Sequence, residues 1–309
     1  MTIISAYQNG NTKVAIYDDG TKVRWYEGEP CPEFPESIDV KITNYCDLEC
    51  SYCHESSHAA GAHGDLAVLL DKLEELPPGI ELAIGGGNPL SHPSLVPFLR
   101  ELKRRNFIAN ITVNQTHLRG LRWLMLVTAL INDNLVKGVG VSVEREPDIE
   151  HLKSIQTLSP HIVYHVIRGV HQADIITHLM QVKKNVKVLI LGYKFHGRGA
   201  SMLRFVSPHA WKEHTWKDFA RKLLSGFETT PHLAFDNSAI EQLHIKKFVS
   251  KTVWDRLYMG EDSTFSMYID AVERTYASTS YSSSRHRWEG FSIIEYFKTL
   301  RQRHRKTER

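Results

Sequence analysis

Short apolar, β-branched runs recur along this chain and alternate with longer amphipathic stretches. The runs cover residues 38–43, 80–84, 108–113, 136–143, 162–167 and 186–191, and the stretches cover 66–76, 94–105, 118–132, 148–158, 173–183 and 211–224. Runs of that length and composition read as strands, and stretches with apolar residues every three or four positions read as helices. Regular alternation of the two implies a parallel sheet covered by helices. Six βα units suit a partial, open (βα)6 barrel of the TIM-like kind better than the full eightfold barrel. A doubly wound sheet carries the same local pattern, and periodicity does not separate the two.

The flanks break this rhythm. Two β-like runs, 13–17 and 21–26, surround Asp18-Asp19-Gly20, a strong hairpin turn. The connector Pro30-Cys31-Pro32-Glu33-Phe34-Pro35 then sets an extended approach to the first barrel strand. Past Phe227 come a short apolar run at 232–235, a helix from Ser238, a β-like segment at 264–269, a Ser/Thr-rich stretch at 278–284 and an amphipathic helix over 291–305. The expected organisation is an N-terminal β-hairpin and linker (1–35), a barrel core (36–226) and a C-terminal α+β extension (227–309) that covers the barrel and ends in a basic helix. No internal repeat of solenoid type occurs.

Composition narrows the class. With 309 residues, 42% of them hydrophobic and 24% charged, the chain can bury a large core. No apolar stretch approaches the ~20 residues of a membrane helix, and residues 1–10 lack the pattern of a signal peptide, so a cytoplasmic location without membrane contact is expected. A net charge of +3 is too small for the whole chain to bind nucleic acid non-specifically. The end differs: Arg285, Arg287, Arg301, Arg303, Arg305, Lys306 and Arg309 outnumber Glu289, Glu295 and Glu308, which leaves a nucleic-acid contact open beside the plainer reading of a solvated helix.

The chain has four cysteines, and three crowd into the loop after the first barrel strand, Asn44-Tyr45-Cys46-Asp47-Leu48-Glu49-Cys50-Ser51-Tyr52-Cys53-His54. In a reducing compartment such clustering favours metal over disulfide. Cysteine thiolates are the usual ligands of iron–sulfur clusters, and a cubane held by three of them leaves one iron with no protein ligand. Zinc is the competing reading. It lacks a second C-x2-C pair, although His54 or His58 could complete the set. Cys31, between prolines, reads as a bystander. His63, His92, His161, His165 and His171 have no metal spacing and read as core or surface groups.

With its C-x3-C-x2-C spacing and Tyr52 before the last cysteine, the loop resembles the signature of the radical S-adenosylmethionine (SAM) superfamily. A second match follows one strand later, where Ile84-Gly85-Gly86-Gly87-Asn88-Pro89-Leu90 resembles the family's Gly-Gly-Glu-Pro stretch. Asn88 departs from the usual glutamate, which removes a charge there while keeping an amide oxygen that accepts a hydrogen bond. The resemblance covers roughly residues 38–198 and implies a partial barrel of the radical SAM type. It implies a 4Fe–4S cluster on Cys46, Cys50 and Cys53, with SAM chelating the open iron and yielding a 5′-deoxyadenosyl radical that removes a substrate hydrogen. It also implies that Tyr52, Gly85, Gly86, Gly87, Asn88, Ser142 and Glu144 lie around SAM, with Asn114 a weaker candidate, and that an external donor such as flavodoxin or ferredoxin supplies the electron. Lys194 and Arg198, at the end of the sixth strand, are candidates for an anionic substrate group. Tyr268 and Asp270 alternate as strand positions do and are candidate substrate contacts.

No second cysteine cluster follows the core, so the resemblance is to compact members without an auxiliary-cluster domain. That favours hydrogen abstraction from a small or nucleotide-linked substrate. The build is similar to the bacteriophage thymidine-hypermodification isomerases, which would place an amino-acid group on a modified thymidine-type nucleotide in the site and the protein in a host cytoplasm. A peptide maturase, a glycyl-radical activase, and a non-enzymatic zinc or iron–sulfur module are the alternatives.

Overall fold

A computed structural model describes residues 1–202, Trp216 and 232–307. At the start lies an antiparallel meander of Ile3–Asn9 (β1), Thr12–Tyr17 (β2) and Lys22–Trp25 (β3). The expected hairpin is its second half, turned at Gly20, where φ is +93° and the Asp19 carboxylate accepts from Thr21 N at 2.9 Å. β1 adds a third strand. Its mostly exposed residues carry no apolar alternation to announce it.

The six expected barrel strands form as Ser37–Thr43 (β4), Glu81–Gly86 (β5), Ile108–Asn114 (β6), Gly138–Ser142 (β7), Ile162–Ile167 (β8) and Lys187–Leu191 (β9). Between them run Leu66–Leu73 (α1), Leu95–Arg104 (α2), Leu121–Asn132 (α3), Ile149–Gln156 (α4) and Ile175–Met180 (α5), and after β9 comes Arg198–Met202 (α6). The helix expected over 211–224 lies outside the described residues except for Trp216, which is buried and donates its indole N–H to His171 O at 3.1 Å. A seventh parallel strand, His232–Phe235 (β10), pairs with β9.

Strand order decides between the two folds that share this local pattern. The sheet runs β10-β9-β8-β7-β6-β5-β4, so every crossover advances one position in the same direction. A doubly wound sheet reverses at a switch point, and this one does not. The other edge is filled from the C-terminal region: after Asn237–Leu243 (α7) and Lys251–Leu257 (α8), Ser266–Asp270 (β11) pairs in parallel with β4, and Thr275–Ala277 (β12) and His286–Arg287 (β13) extend the sheet antiparallel to ten strands. The partial barrel therefore stands, with the extension joined to its edge.

Each strand has two different faces. Ile38, Val40, Ile42, Leu82, Ile84, Ile111, Val139, Val141, Tyr164, Val166, Val188 and Ile190 are buried under the helices. The alternate positions are partly accessible, with β6, β8 and β9 switching between buried and half-buried at every residue and β5 doing so up to Gly85, before the exposed Gly86. The inner face thus lines a solvent-accessible hollow rather than a packed core. Helices close the outside with regular stripes: α2 buries Leu95, Phe98, Leu99 and Leu102 at helical spacing, worth about 1.5–3 kcal/mol per large side chain. Asp65 and Asp148 cap α1 and α4 by accepting backbone N–H groups of the first turn.

The last helix, Ile293–Thr307 (α9), buries Tyr296 and Phe297, and Tyr296 stacks on Tyr276 of β12 at 5.4 Å. Arg301 donates to Pro30 O and Pro32 O at 2.8 and 2.6 Å, and Arg285 donates to Ser280 O at 2.6 Å. Of the arginines that left a nucleic-acid contact open, Arg301 therefore ties the last helix to the proline connector, and Arg285 is bonded locally while staying exposed. No helix among the described residues is long and apolar enough to cross a membrane.

Candidate active site

The cysteine loop leaves the carboxyl end of β4, where parallel strands point their termini at one rim. Its base is closed by backbone bonds: Asn44 N to Ala62 O at 2.8 Å, His58 N to Asn44 O at 3.1 Å and Cys46 N to His58 O at 3.0 Å. Gly61 is required here, because a Cβ would lie 2.0 Å from Asn44 O. Neighbouring elements then pin the loop from several sides. Arg198 gives its Nε to Cys50 O at 2.9 Å, an Nη to Ser57 O at 2.8 Å and its backbone N–H to Cys53 O at 3.0 Å. Buried His117, beyond β6, meets the Asp47 carboxylate at 2.7 Å. Glu55 binds Lys41 of β4 at 2.9 Å, and Asp270 of β11 completes that buried triad at 3.3 Å.

Cys46, Cys50 and Cys53 are half-buried and unoxidised. Burial pushes the Cys46 and Cys50 thiols above the usual cysteine range, and the neighbouring cysteines push the same way. Three thiolates held this close need a cationic centre to be stable, which is what an iron–sulfur cluster provides. Zinc fits less well. Among the described residues, the one group of three ligand atoms all within 4.8 Å of one another is Cys46, Asp47 and His117. The three sulfurs thus stand further apart than a single tetrahedral ion with Zn–S bonds of about 2.3 Å would hold them, and neither His54 nor His58 joins a compact set. Tyr52 hydrogen-bonds Cys50 through its hydroxyl, which burial and the thiols hold firmly protonated.

The glycine run seats the loop. Gly87 N donates to Thr43 O at 2.8 Å and Asn88 N to Tyr45 O at 2.6 Å. A Cβ on Gly86, where φ is +115°, would lie 2.4 Å from Thr43 O, and one on Gly87 2.1 Å from Tyr45 O. These two glycines therefore exist for backbone-to-backbone approach, whereas Gly85 faces open space. Asn88 is buried, and its Oδ1 is already taken by Leu90 N at 3.2 Å. The acceptor expected of Asn88 is occupied, and the amide N–H2 that remains has no partner among the described residues.

Further round the rim, Ser142 ends the inner face of β7. Glu144 accepts from the Thr116 hydroxyl and from Arg119 at 3.0 Å, which outweighs its burial and keeps it ionised below the usual carboxylate range. Asn114 caps Thr116 N at 2.8 Å and is a turn residue. Lys194 donates to Ser280 Oγ at 3.1 Å and stands 5.3 Å over the Tyr281 ring. Of the four substrate candidates, Lys194 and Arg198 are half-buried and Tyr268 and Asp270 are buried. Arg198 is turned to the cysteine loop. Tyr268 gives its hydroxyl to Glu55 at 2.9 Å, and Asp270 accepts Val272 N and Glu273 N, both at 3.0 Å, as well as binding Lys41. All three already hold partners within the protein: backbone carbonyls for Arg198, the Glu55 carboxylate for Tyr268, and a turn and an ion pair for Asp270.

Reading the sequence alone passed over Asp39 and took His165 for a core or surface group. Asp39, on the inner face of β4, is exposed, yet desolvation raises its carboxyl, so it opens onto an enclosed hollow and not onto bulk water. His165, on the inner face of β8, is held neutral by burial and by Lys194, with its pKa pushed down to about 4. β4 is polar at every second position, Ser37, Asp39, Lys41 and Thr43, whereas His165 stands between Val163 and Ile167 on its face of β8 and carried no such pattern.

The family model of the radical SAM superfamily matches residues 40–194, half of the chain. A curated relative, the tungsten-containing aldehyde ferredoxin oxidoreductase cofactor-modifying protein of Pyrococcus furiosus, is 33% identical over 83 residues, which is 25% of this chain and 23% of that protein. In fold, the chain is similar to Streptococcus suis SuiB bound to the precursor peptide SuiA (TM-score 0.57, 10% identity) and to SuiB bound to S-adenosylmethionine (0.57, 11%). It is covered over 86% and spans 65% and 66% of those chains. It thus spans about a quarter of the curated relative and just under two thirds of SuiB. Family match, consecutive parallel winding and a cysteine loop at the carboxyl rim converge: the chain belongs to the radical SAM superfamily, enzymes that work with a 4Fe–4S cluster and SAM.

Proposed function

We propose that this chain holds its cluster on Cys46, Cys50 and Cys53 and abstracts hydrogen from a small, polar, nucleotide-linked substrate. Its reaction is the isomerisation of an amino-acid group on a modified thymidine-type nucleotide. The observation that carries this reading is the hydrophilic hollow beside the cysteine loop, whose inner face presents Asp39, Thr112, Ser142 and His165. An apolar substrate would leave these groups desolvated and unpaired. With cluster and SAM bound, the pair supplies a hydrogen-abstracting carbon radical once an external donor such as flavodoxin or ferredoxin provides an electron.

The remaining work belongs to the protein. Tyr52 orients the Cys50 sulfur, Gly85 leaves room for SAM against β5, and the free Asn88 amide N–H2 offers a donor to it. Ser142 and Glu144 supply polar contacts on the far side. Lys194 and Tyr281 bound the substrate at the rim. An isomerisation returns the hydrogen it takes, so one cluster suffices. Thiols of this kind belong in a reducing cytoplasm.

The test is anaerobic reconstitution of the purified protein followed by reduction with SAM present. Iron and sulfide near four per protein and formation of 5′-deoxyadenosine support the reading. Zinc without sulfide, or no SAM cleavage, sinks it in favour of a metal-binding module. Rearranged product from amine-bearing thymidine derivatives supports the finer assignment, and unchanged derivatives alongside SAM cleavage overturn that part alone.

A further inference from the structure

Gly197-Arg198-Gly199, where α6 begins, lies directly against the cysteine loop. Gly197 turns there with φ at +54°, and a Cβ on it would come within 2.5 Å of His54 O and 2.9 Å of Cys53 O. A Cβ on Gly199 would meet Lys194 O at 2.7 Å and Tyr52 O at 3.2 Å. The two glycines thus seat the backbone between them on Tyr52, Cys53 and His54, and so fix where the Arg198 side chain starts. From that point Arg198 reaches along the loop: its backbone N–H donates to Cys53 O at 3.0 Å, Nε to Cys50 O at 2.9 Å and an Nη to Ser57 O at 2.8 Å.

Neutral carbonyls accept all of these bonds. Elsewhere in the fold, Arg24 meets Glu36, Lys41 meets Glu55 and Asp270, and Arg119 meets Glu144 and Asp148. Arg198 is half-buried and forms no ion pair with a described residue. Uncharged donors would fasten the carbonyls equally well, so fastening alone does not call for a permanent charge. A partly desolvated charge without a counter-ion is costly until an anion arrives beside it. The anion due at this place is the cluster. Arg198 is bonded to the carbonyls of two of the three cysteines, so its charge lies within one residue's breadth of their sulfurs. A four-iron centre on three thiolates carries excess negative charge, and the donor's electron adds one more with no proton moved and no bond broken. Net charge and hydrogen bonding around the sulfurs set how readily that electron is accepted.

We infer that Arg198 is the counter-charge of the cluster, a positioning residue for Cys50 and Cys53 whose fixed positive charge eases the arrival of the electron. This rests on the reading that Cys46, Cys50 and Cys53 hold the cluster. The arginine expected to meet a substrate anion thereby meets an anion of another kind.

Two substitutions separate charge from fastening. Arg198→Gln keeps a donor and removes the charge, Arg198→Lys keeps the charge, and neither rebuilds the fork to both carbonyls. Each is reconstituted anaerobically beside the wild type, without SAM, and poised with dithionite and mediators at the wild-type midpoint potential, where electron paramagnetic resonance gives the ratio of reduced to oxidised cluster. That ratio should fall at least about tenfold in Arg198→Gln, equivalent to about 59 mV for one electron, and stay within about threefold of the wild type in Arg198→Lys. A merely structural contact would move both variants together. A smaller fall in Arg198→Gln, or an equal one in Arg198→Lys, overturns the inference. If Arg198→Gln holds no iron, Arg198→Lys decides alone: wild-type iron content with a near-wild-type ratio supports the counter-charge, and any other result overturns it. Wild-type protein that takes up neither iron nor sulfide removes the cluster reading itself, a result distinct from every variant outcome.

Discussion

His165 reports on the hollow through its protonation. Its pKa is about 4 in the folded protein against about 6.5 when unfolded, so between those values the unfolded chain binds more protons. Stability therefore rises with pH over that window and is lost as pH falls from about 6.5 towards 4, by a few kcal/mol at most. Denaturation midpoints measured from pH 4.5 to 7 should climb for the wild type and climb less steeply for His165→Gln, the remaining slope coming from His54, His92 and His171, which burial also lowers. A second residue-scale prediction concerns His117, whose contact with Asp47 holds the segment that carries Cys46. His117→Ala should speed the loss of iron to a chelator several-fold while shifting the melting temperature little; unchanged iron release would mean the contact is idle. The cysteines themselves were legible from spacing. Asp39 and His165 were not, because a lone histidine or aspartate in an apolar strand is usually satisfied by its neighbours, and nothing local marks either as lining the inner face of a barrel.

At the scale of elements, the triad of Lys41, Glu55 and Asp270 joins three separate parts of the chain: the first barrel strand, the end of the cysteine loop and β11. Burial opposes charge on Lys41, but the two carboxylates outweigh it and raise its pKa. Lys41→Met would leave two buried carboxylates facing each other, a cost of about 3–5 kcal/mol that chemical denaturation would register. Phe98→Ala on α2 should cost a similar amount by opening a cavity between helix and sheet, with iron binding retained. The contrast between the two variants matters, since only the first should also loosen the cysteine loop. Most barrel strands and helices follow from the periodicity of their apolar residues. β10 was visible as an apolar run without a place, and β11 as a strand whose partner lay more than two hundred residues earlier, information that no local window contains.

For the whole molecule, the decisive event is that the chain returns to its beginning. β11 covers the edge of β4, and Arg301 of α9 fastens the proline connector that precedes β4. Removing residues 264–309 should expose a flat parallel edge and strip Lys41 of one partner. The expected outcome is aggregation or loss of soluble protein, and a monodisperse, iron-binding fragment would count against it. Consecutive winding could not be read from the sequence, because each βα unit looks alike wherever it is placed in the sheet. The inner face of β7 has a different kind of consequence. Gly138 and Gly140 set the bore of the barrel by what they lack, so the enzyme's tolerance for bulk is governed by two hydrogen atoms. A single methyl group would be felt by the lining itself, against the His165 ring from Gly140 and against the Asn110 amide oxygen from Gly138, so the bore is already drawn to the width of those two side chains.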